Sequence, residues 1–338
     1  MTDFQRIGIQ RLSTSALAAV ALIVTVGCGD FEELDTPSTC SQEQALCEAE
    51  VFLSVDEFEY LRQNSDPIIL DARPDSTEFS NGHIPGAYHG SWGVHRDDQD
   101  TLWDDDEALQ DYIRDIGVEA DRQVIVYGAG DGSGGDSVAG NLFWTLEYVG
   151  HDDVYLVDGG LQNWIDANYD ALQTGEHEPS STDFEIERRD ELLATTEDLK
   201  EVIDDDDSDT VIIDNRTEAE YFDYEDGGTP EHEQRGNPVG GHVVDAVHYH
   251  WEDVFDDDAT VRDADELRDE FEELGFEPGT TTIPYCQSGV RSGYFYAVLK
   301  SLGYPEPVNY DASWNVISEK VDSGELDEDY IVNGDDIR

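Results

Sequence analysis

The sequence predicts an α/β protein made of two tandem domains, each a parallel sheet with helices on both faces. Three observations predict it. Short apolar strands alternate with amphipathic helical stretches, the same motifs recur in the same order in both halves, and 338 residues exceed the roughly 250 at which single cores stop growing.

The first unit opens with a helix-like Val55-Asp56-Glu57-Phe58, followed by the strand Ile68-Ile69-Leu70 that ends in Asp71-Ala72-Arg73. The second opens with Thr196-Glu197-Asp198-Leu199, then Val211-Ile212-Ile213 ending in Asp214-Asn215-Arg216. Gly82-His83-Ile84-Pro85-Gly86-Ala87 is answered by Gly241-His242-Val243-Val244-Asp245-Ala246. The buried-type strand Val124-Ile125-Val126-Tyr127 is answered by Thr282-Ile283-Pro284-Tyr285, and each leads through a Gly-bearing loop into a helix closing on Gly150 or Gly303. Val154-Tyr155-Leu156-Val157 with Trp164 then matches a strand at Val308-Asn309-Tyr310 with Trp314. Strands alternating with helices through short turns give a parallel sheet buried on both faces. The domains span 51–180 and 190–338, with the boundary between Thr174 and Asp190. Extra residues between Asp223 and Pro238, with Gly227-Gly228 and Pro230, read as a polar surface loop inserted in the second unit.

Charge is the unusual feature of the composition. Against 81 Asp and Glu stand 18 Lys and Arg, a formal net charge of -63, and the only lysines are Lys200, Lys300 and Lys320. Such self-repulsion destabilises a compact chain in dilute buffer, whereas at about 1 M salt the screening length falls to about 3 Å. The pattern reads as adaptation to high salt. Calcium binding by the runs Asp204 to Asp207 and Asp256 to Asp258 is the competing reading, but neither run has the Gly-centred alternation of a calcium loop. With no basic stripe to meet phosphates, nucleic acid is excluded as a partner. Hydrophobic residues at 38%, with six Trp and sixteen Tyr, supply true cores.

Arg6 and Arg11 precede an apolar stretch from Ala16 to Val26 that has the length of a signal-peptide core and is short for a bilayer span. It runs into Thr25-Val26-Gly27-Cys28, which resembles the lipobox of exported lipoproteins, with Thr25 in place of the usual Leu. That resemblance makes residues 1–28 a signal peptide and Cys28 a lipid-modified anchor at the cell surface or in the periplasm. Cleavage near Gly27 or retention as a membrane anchor are the alternatives. A polar linker, 29–50, follows. Its Cys40 and Cys47 either close a small disulfide loop in an oxidising compartment or are incidental thiols.

Cys286 stands apart from the other three cysteines, in Tyr285-Cys286-Gln287-Ser288-Gly289-Val290-Arg291-Ser292-Gly293 between a strand and a helix. In parallel sheets, ligands and reactive groups gather at the carboxyl ends of strands. A thiol there becomes a nucleophile only as its thiolate, and an ordinary Cys ionises near about 8.5. Loop amides, the start of the following helix and Arg291 all favour the anion. Each unit of depression needs about 1.36 kcal/mol, and an exposed helix end supplies only about 0.3 to 1 kcal/mol, so the amides and Arg291 must carry the rest. The bland alternative is a buried core cysteine.

Cys286-x-x-Gly289-x-Arg291-Ser292 resembles the active-site loop of the rhodanese family, and the tandem repeat resembles the thiosulfate and 3-mercaptopyruvate sulfurtransferases, which are built of two rhodanese-like domains with the reactive Cys in the second. The similarity runs from about Val51 to Lys320. It implies that Cys286 carries sulfur as a persulfide, taken from a thiosulfate-like anion and passed to cyanide or a thiol. It also implies that Gln287, Ser288, Gly289 and Val290 form the loop around the sulfur, and that Arg216 and Arg291 hold the anionic donor. His242 and Asp214 become structural, no cofactor is needed, and Gly128 stands where Cys286 would be in an inactive first domain. Ser288 departs from the basic residue of animal-type thiosulfate enzymes, and Gln287 and Arg291 depart from the mercaptopyruvate pattern, leaving thiosulfate the favoured donor.

Three rivals remain in view. A tyrosine phosphatase or arsenate reductase also places Cys and Arg around an anion, but here the loop between Cys286 and Arg291 is one residue shorter. A non-enzymatic persulfide carrier or sulfur sensor would need the same pocket. Glycines from Gly128 to Gly135 suggest a nucleotide loop, yet no Lys follows and no ribose-binding acid fits. Asp and His residues show no compact metal-ligand spacing.

Overall fold

A computed structural model describes residues 51–338, except 92–95, 97–100, 103, 133, 205–208, 278, 305–306 and 335–338. The expected signal peptide, linker and their cysteines, Cys28, Cys40 and Cys47, lie outside the described residues, as does most of the run from Asp204 to Asp207.

In the first domain, strands β1 (Phe52–Leu53), β2 (Ile68–Asp71), β3 (Tyr88–His89), β4 (Val124–Tyr127) and β5 (Val154–Val157) form one sheet in the order β1-β5-β4-β2-β3, and every pairing is parallel. Successive side chains of a strand face opposite ways. Accordingly Ile68, Leu70, Val124 and Val126 enter one apolar cluster, while Ile69, Ile125 and Tyr127 enter the other. Both faces are covered, which is why these strands read as unbroken apolar runs.

The second domain repeats the plan. Its strands are β6 (Thr210–Asp214), β7 (Glu225–Asp226), β8 (Thr229–Pro230), β9 (Gly241–Val243), β10 (Val247–His248), β11 (Thr281–Tyr285) and β12 (Ile331–Asn333). A parallel sheet runs β10-β6-β11, with Ile212, Ile283 and Tyr285 on one face and Ile213 on the other. The strand expected at Val308-Asn309-Tyr310 is reduced to one parallel bridge between Leu193 and Asn309.

The insert from Asp223 to Pro238 is more ordered than a surface loop. β7 and β8 pair as a hairpin across Gly227-Gly228, both at positive φ, and a short helix Glu231–Arg235 follows. Two consecutive left-handed residues are what a tight hairpin turn demands. Asp223 ties the helix down, accepting from the His232 N–H at 2.9 Å. The connector after residue 180 also belongs to the first domain by packing, since Phe184 is buried in its core and Glu187 and Arg189 donate backbone hydrogen bonds to Val149 and Tyr148.

The two domains meet along the helices that follow their loops, Gly134–Tyr148 and Val290–Ser301. A Cβ on Gly140 would lie 2.3 Å from the Tyr294 Cα, and one on Gly293 would lie 2.8 Å from the Asn141 Cα. Only glycine permits that approach. Val290, Tyr296 and Ala297 thereby join the core of the first domain.

Candidate active site

Cys286 follows directly on β11, at the carboxyl end of the sheet, and its side chain is fully buried. Its surroundings are polar. Ser292 Oγ lies 3.8 Å and Ser313 Oγ 4.0 Å from Sγ. Burial pushes the thiol up, but the Arg291 charge, the backbone N–H groups of Ser292 and Ser288 and the Ser292 hydroxyl outweigh it, so the thiol ionises below its ordinary range. Charge and directed amides thus overcome desolvation, as a reactive cysteine requires. The Ser292 hydroxyl donates to Asn309 Oδ1 at 2.6 Å; its single proton can turn to the sulfur once the thiol ionises.

The loop is held from below by the start of the helix Ser313–Ser323, whose Trp314 and Asn315 N–H groups donate to the carbonyls of Cys286 and Gln287, each at 3.0 Å. Ser313 clips both ends, accepting from the N–H of Cys286 at 3.0 Å and of Gly289 at 2.9 Å while donating to the Tyr310 carbonyl at 2.8 Å. Ser313 sits at φ +51, a left-handed conformation rarely adopted by a side-chain-bearing residue. Gly289 is required, with φ +77 and a position where a Cβ would stand 2.3 Å from Asp311 Oδ1.

Arg291 is brought beside the thiol as expected. Its two terminal nitrogens donate to the two oxygens of Glu220, both at 2.8 Å. Glu220 is buried and also accepts from the N–H of Thr217 at 3.0 Å and its hydroxyl at 2.9 Å, closing a capping box on the turn Glu218–Tyr221. Burial pushes this carboxyl up, yet the bonds and charge of Arg291 hold it well below the usual carboxylate range. Glu220 is a site residue that the motif spacing around Cys286 does not reveal; its one local signal is the Thr217-x-x-Glu220 pattern.

Arg216 is engaged within its own domain. Its Nε donates to Asp214 Oδ1 at 3.0 Å, and its Nη2 to Asp214 Oδ2 at 2.6 Å and the Gly241 carbonyl at 2.7 Å, with the guanidinium 4.4 Å above Trp314. Arg73 makes the same contacts to Asp71 and Gly82 in the domain without a cysteine, at 2.9, 2.6 and 2.8 Å. The arrangement is common to both domains, so Arg216 forms a buried ion pair that belongs to the scaffold. Tyr285 completes it, donating to Asp214 at 2.5 Å as Tyr127 donates to Asp71 at 2.7 Å. The Val290 side chain packs into the first domain's core. The Gly289 N–H is taken by Ser313, and the amides of Ser288 and Ser292 bond the sulfur. Gln287 donates to Asn315, and its Oε1 is buried without a partner. His242 stacks on Tyr221 and bonds its carbonyl, a structural role as expected.

In the first domain the equivalent loop is closed by its own carboxylate. Asp136 accepts from the N–H groups of Gly130, Asp131 and Gly132 at 2.7, 3.0 and 2.8 Å. An internal anion fills the amide cradle, and Gly128 offers no nucleophile.

The fold and this site define a tandem α/β enzyme class in which one domain presents a cysteine beneath an anion-favouring loop and the other is a copy without that cysteine, its loop amides bonded to Asp136. The chain belongs to the rhodanese-like domain family, whose model matches residues 54–167 and 195–320. It is 29% identical over 265 residues to a thiosulfate sulfurtransferase of Corynebacterium glutamicum, covering 76% of this chain and 85% of that protein. It is also 29% identical over 292 residues to the sulfur carrier protein TtuD of Thermus thermophilus, covering 82% and 98%. Among solved structures, the 3-mercaptopyruvate sulfurtransferase SseA of Escherichia coli matches with a TM-score of 0.65 at 22% identity, covering 79% of this chain and 99% of that one, a likeness of fold.

Proposed function

We propose that this sulfurtransferase moves sulfane sulfur through a persulfide on Cys286, with a thiosulfate-like anion as donor and cyanide or a thiol as acceptor. The observation that carries this reading is a thiol held below its ordinary ionisation range although it is fully buried, beside Arg291 and under two loop amides. The Cys286 thiolate attacks the outer sulfur of thiosulfate. A new S–S bond forms, the bond to the sulfite sulfur breaks, and its electron pair leaves with sulfite. The terminal persulfide sulfur inherits the cradle of the Ser288 and Ser292 amides. Cyanide carbon or a thiolate then attacks that sulfur, and the departing electron pair returns to Cys286 as its thiolate.

The test is thiocyanate formation from thiosulfate and cyanide in high salt, with 3-mercaptopyruvate as the competing donor. Turnover is expected to vanish in Cys286→Ser and to fall strongly in Arg291→Ala, and mass spectrometry of the loaded enzyme should find one extra sulfur on the Cys286 peptide. Turnover that survives Cys286→Ser would sink the reading.

One observation favours a persulfide carrier as the second reading. Cys286 is sealed at 0% exposure, so a small donor reaches it only when its cover shifts, and a chain similar in sequence is a sulfur carrier. A stable persulfide with negligible turnover for every small donor would select the carrier.

The same reading includes export and lipid anchoring at Cys28. A wild-type chain in the membrane fraction and a Cys28→Ser chain released from it is the expected result.

A further inference from the structure

The first domain has no cysteine of its own at the strand end, yet it reaches across to the loop that covers Cys286. Arg96 Nη2 donates to the Ser288 carbonyl and to Asp311 Oδ1, both at 2.8 Å, and its Nη1 donates to Asn141 Oδ1 at 3.1 Å. Asn141 Nδ2 in turn donates to the Gly289 carbonyl at 3.2 Å. The Leu102 N–H donates to Asp311 Oδ2 at 2.9 Å. Arg96, Asn141 and Asp311 are all buried.

We propose that Arg96 is a positioning residue for sulfur transfer: by gripping the Ser288 carbonyl and Asp311 from the neighbouring domain, it fixes the loop whose amides face the Cys286 sulfur. The proposal rests on the reading of Cys286 as the sulfur-bearing residue. In a trans peptide the C=O and the next N–H point opposite ways. The Gln287 carbonyl is taken by the Asn315 N–H, which turns the Ser288 N–H toward the sulfur. The Ser288 carbonyl is taken by Arg96, which aims the Gly289 N–H at Ser313 Oγ. The Gly289 carbonyl is taken by the Gly293 N–H of its own helix at 3.0 Å, by Asn141 and by Asn309 Nδ2 at 3.3 Å. Three consecutive carbonyls are thus anchored, two of them by the first domain, and the loop cannot pivot without breaking one.

Comparison with the mirrored contact separates function from scaffolding. Asp158 is the first-domain counterpart of Asp311, and it accepts from the N–H of Val261, the counterpart of Leu102, at 2.9 Å. The isolated bridge Phe255 to Val261 likewise repeats the bridge Arg96 to Leu102. The backbone contact therefore occurs on both sides, but Phe255 stands where Arg96 would be. A guanidinium is present only on the side that faces the cysteine loop.

The experiment compares full-length wild type, Arg96→Met, Arg96→Lys and the double variant Arg96→Met with Asp311→Asn. The double variant removes the buried pair together, so that a single variant that fails to fold does not end the test. Folding is checked by near-ultraviolet circular dichroism. Iodoacetamide alkylation of the Cys286 peptide is followed by mass spectrometry against pH, alongside kcat and KM for thiocyanate formation. The alkylation midpoint is expected to rise by about half a pH unit or more in the folded variants, and kcat to fall roughly tenfold with little change in KM, Arg96→Lys lying between. Folded variants with the wild-type midpoint and kcat would overturn the proposal. A midpoint that shifts while wild type transfers no sulfur would uphold the positioning role and remove the sulfur-transfer reading instead.

Discussion

Glu220 holds Arg291 by a symmetrical two-pronged ion pair, both contacts at 2.8 Å, with the carboxylate buried and the guanidinium at the edge of the Cys286 loop. Arg235, from the insert, reaches the same carboxylate at 3.7 Å. One acid therefore orders the cation that favours the thiolate and ties the insert to the site.

Removing half of this pair should be more harmful than removing both. Glu220→Gln leaves Arg291 with one acceptor and should destabilise the chain by about 3 kcal/mol, the scale for a broken buried pair. Glu220→Gln with Arg291→Met should recover much of that loss in urea denaturation while remaining inactive. Because the folded-state carboxyl is depressed, its contribution is present above the ordinary carboxylate range and is lost as pH falls from there through the lower folded value. Equal stability of the Glu220→Gln and wild-type chains at neutral pH would refute this account.

Gly289→Ala should abolish turnover. The residue needs φ +77, and its new methyl would stand 2.3 Å from a carboxylate oxygen whose own position is fixed by Arg96. Strain of this kind costs on the order of 1 to 3 kcal/mol, and it falls on the backbone that forms the cradle. A folded Gly289→Ala chain with normal activity would show that the loop is not held as described.

Asp158 offers a pH test of the domain contact. Burial, with help from the charges of Asp258 and Asp136, pushes its carboxyl up to about 7 against the bond from Val261. A raised acid is favoured in the folded state while protonated, so its contribution is complete below the unfolded value and is lost as pH rises to about 7. Asp158→Asn keeps the acceptor for Val261 and removes the charge. It should stabilise the chain at pH 8 by on the order of 2 kcal/mol and change little near pH 4. A variant less stable than wild type at pH 8 would count against this.

Salt should stabilise the chain across the molar range. With a formal net charge of -63, repulsion between surface carboxylates is screened only when the Debye length shrinks to about 3 Å near 1 M. Thermal midpoints measured from low to multimolar potassium chloride should climb steadily; a midpoint that is flat or falling would remove the case for adaptation to salt.

The sequence alone determined the two-domain α/β plan and the place of Cys286, because alternating apolar strands and a repeated motif order are properties of the linear chain. Arg291 was legible too, since its spacing from Cys286 lies within one loop. Arg216 was legible only in part: the chain shows an Arg two residues after Asp214, but only packing shows that its nitrogens close on Asp214 and Gly241. Glu220 was hidden because its partner lies 71 residues away, although its capping pattern was local. Arg96 and Asp311 are 215 residues apart, and nothing in either neighbourhood announces the other. The tertiary structure alone decided which charges meet across the domain boundary, since desolvation and hydrogen-bond direction depend on distances in space that sequence separation does not encode.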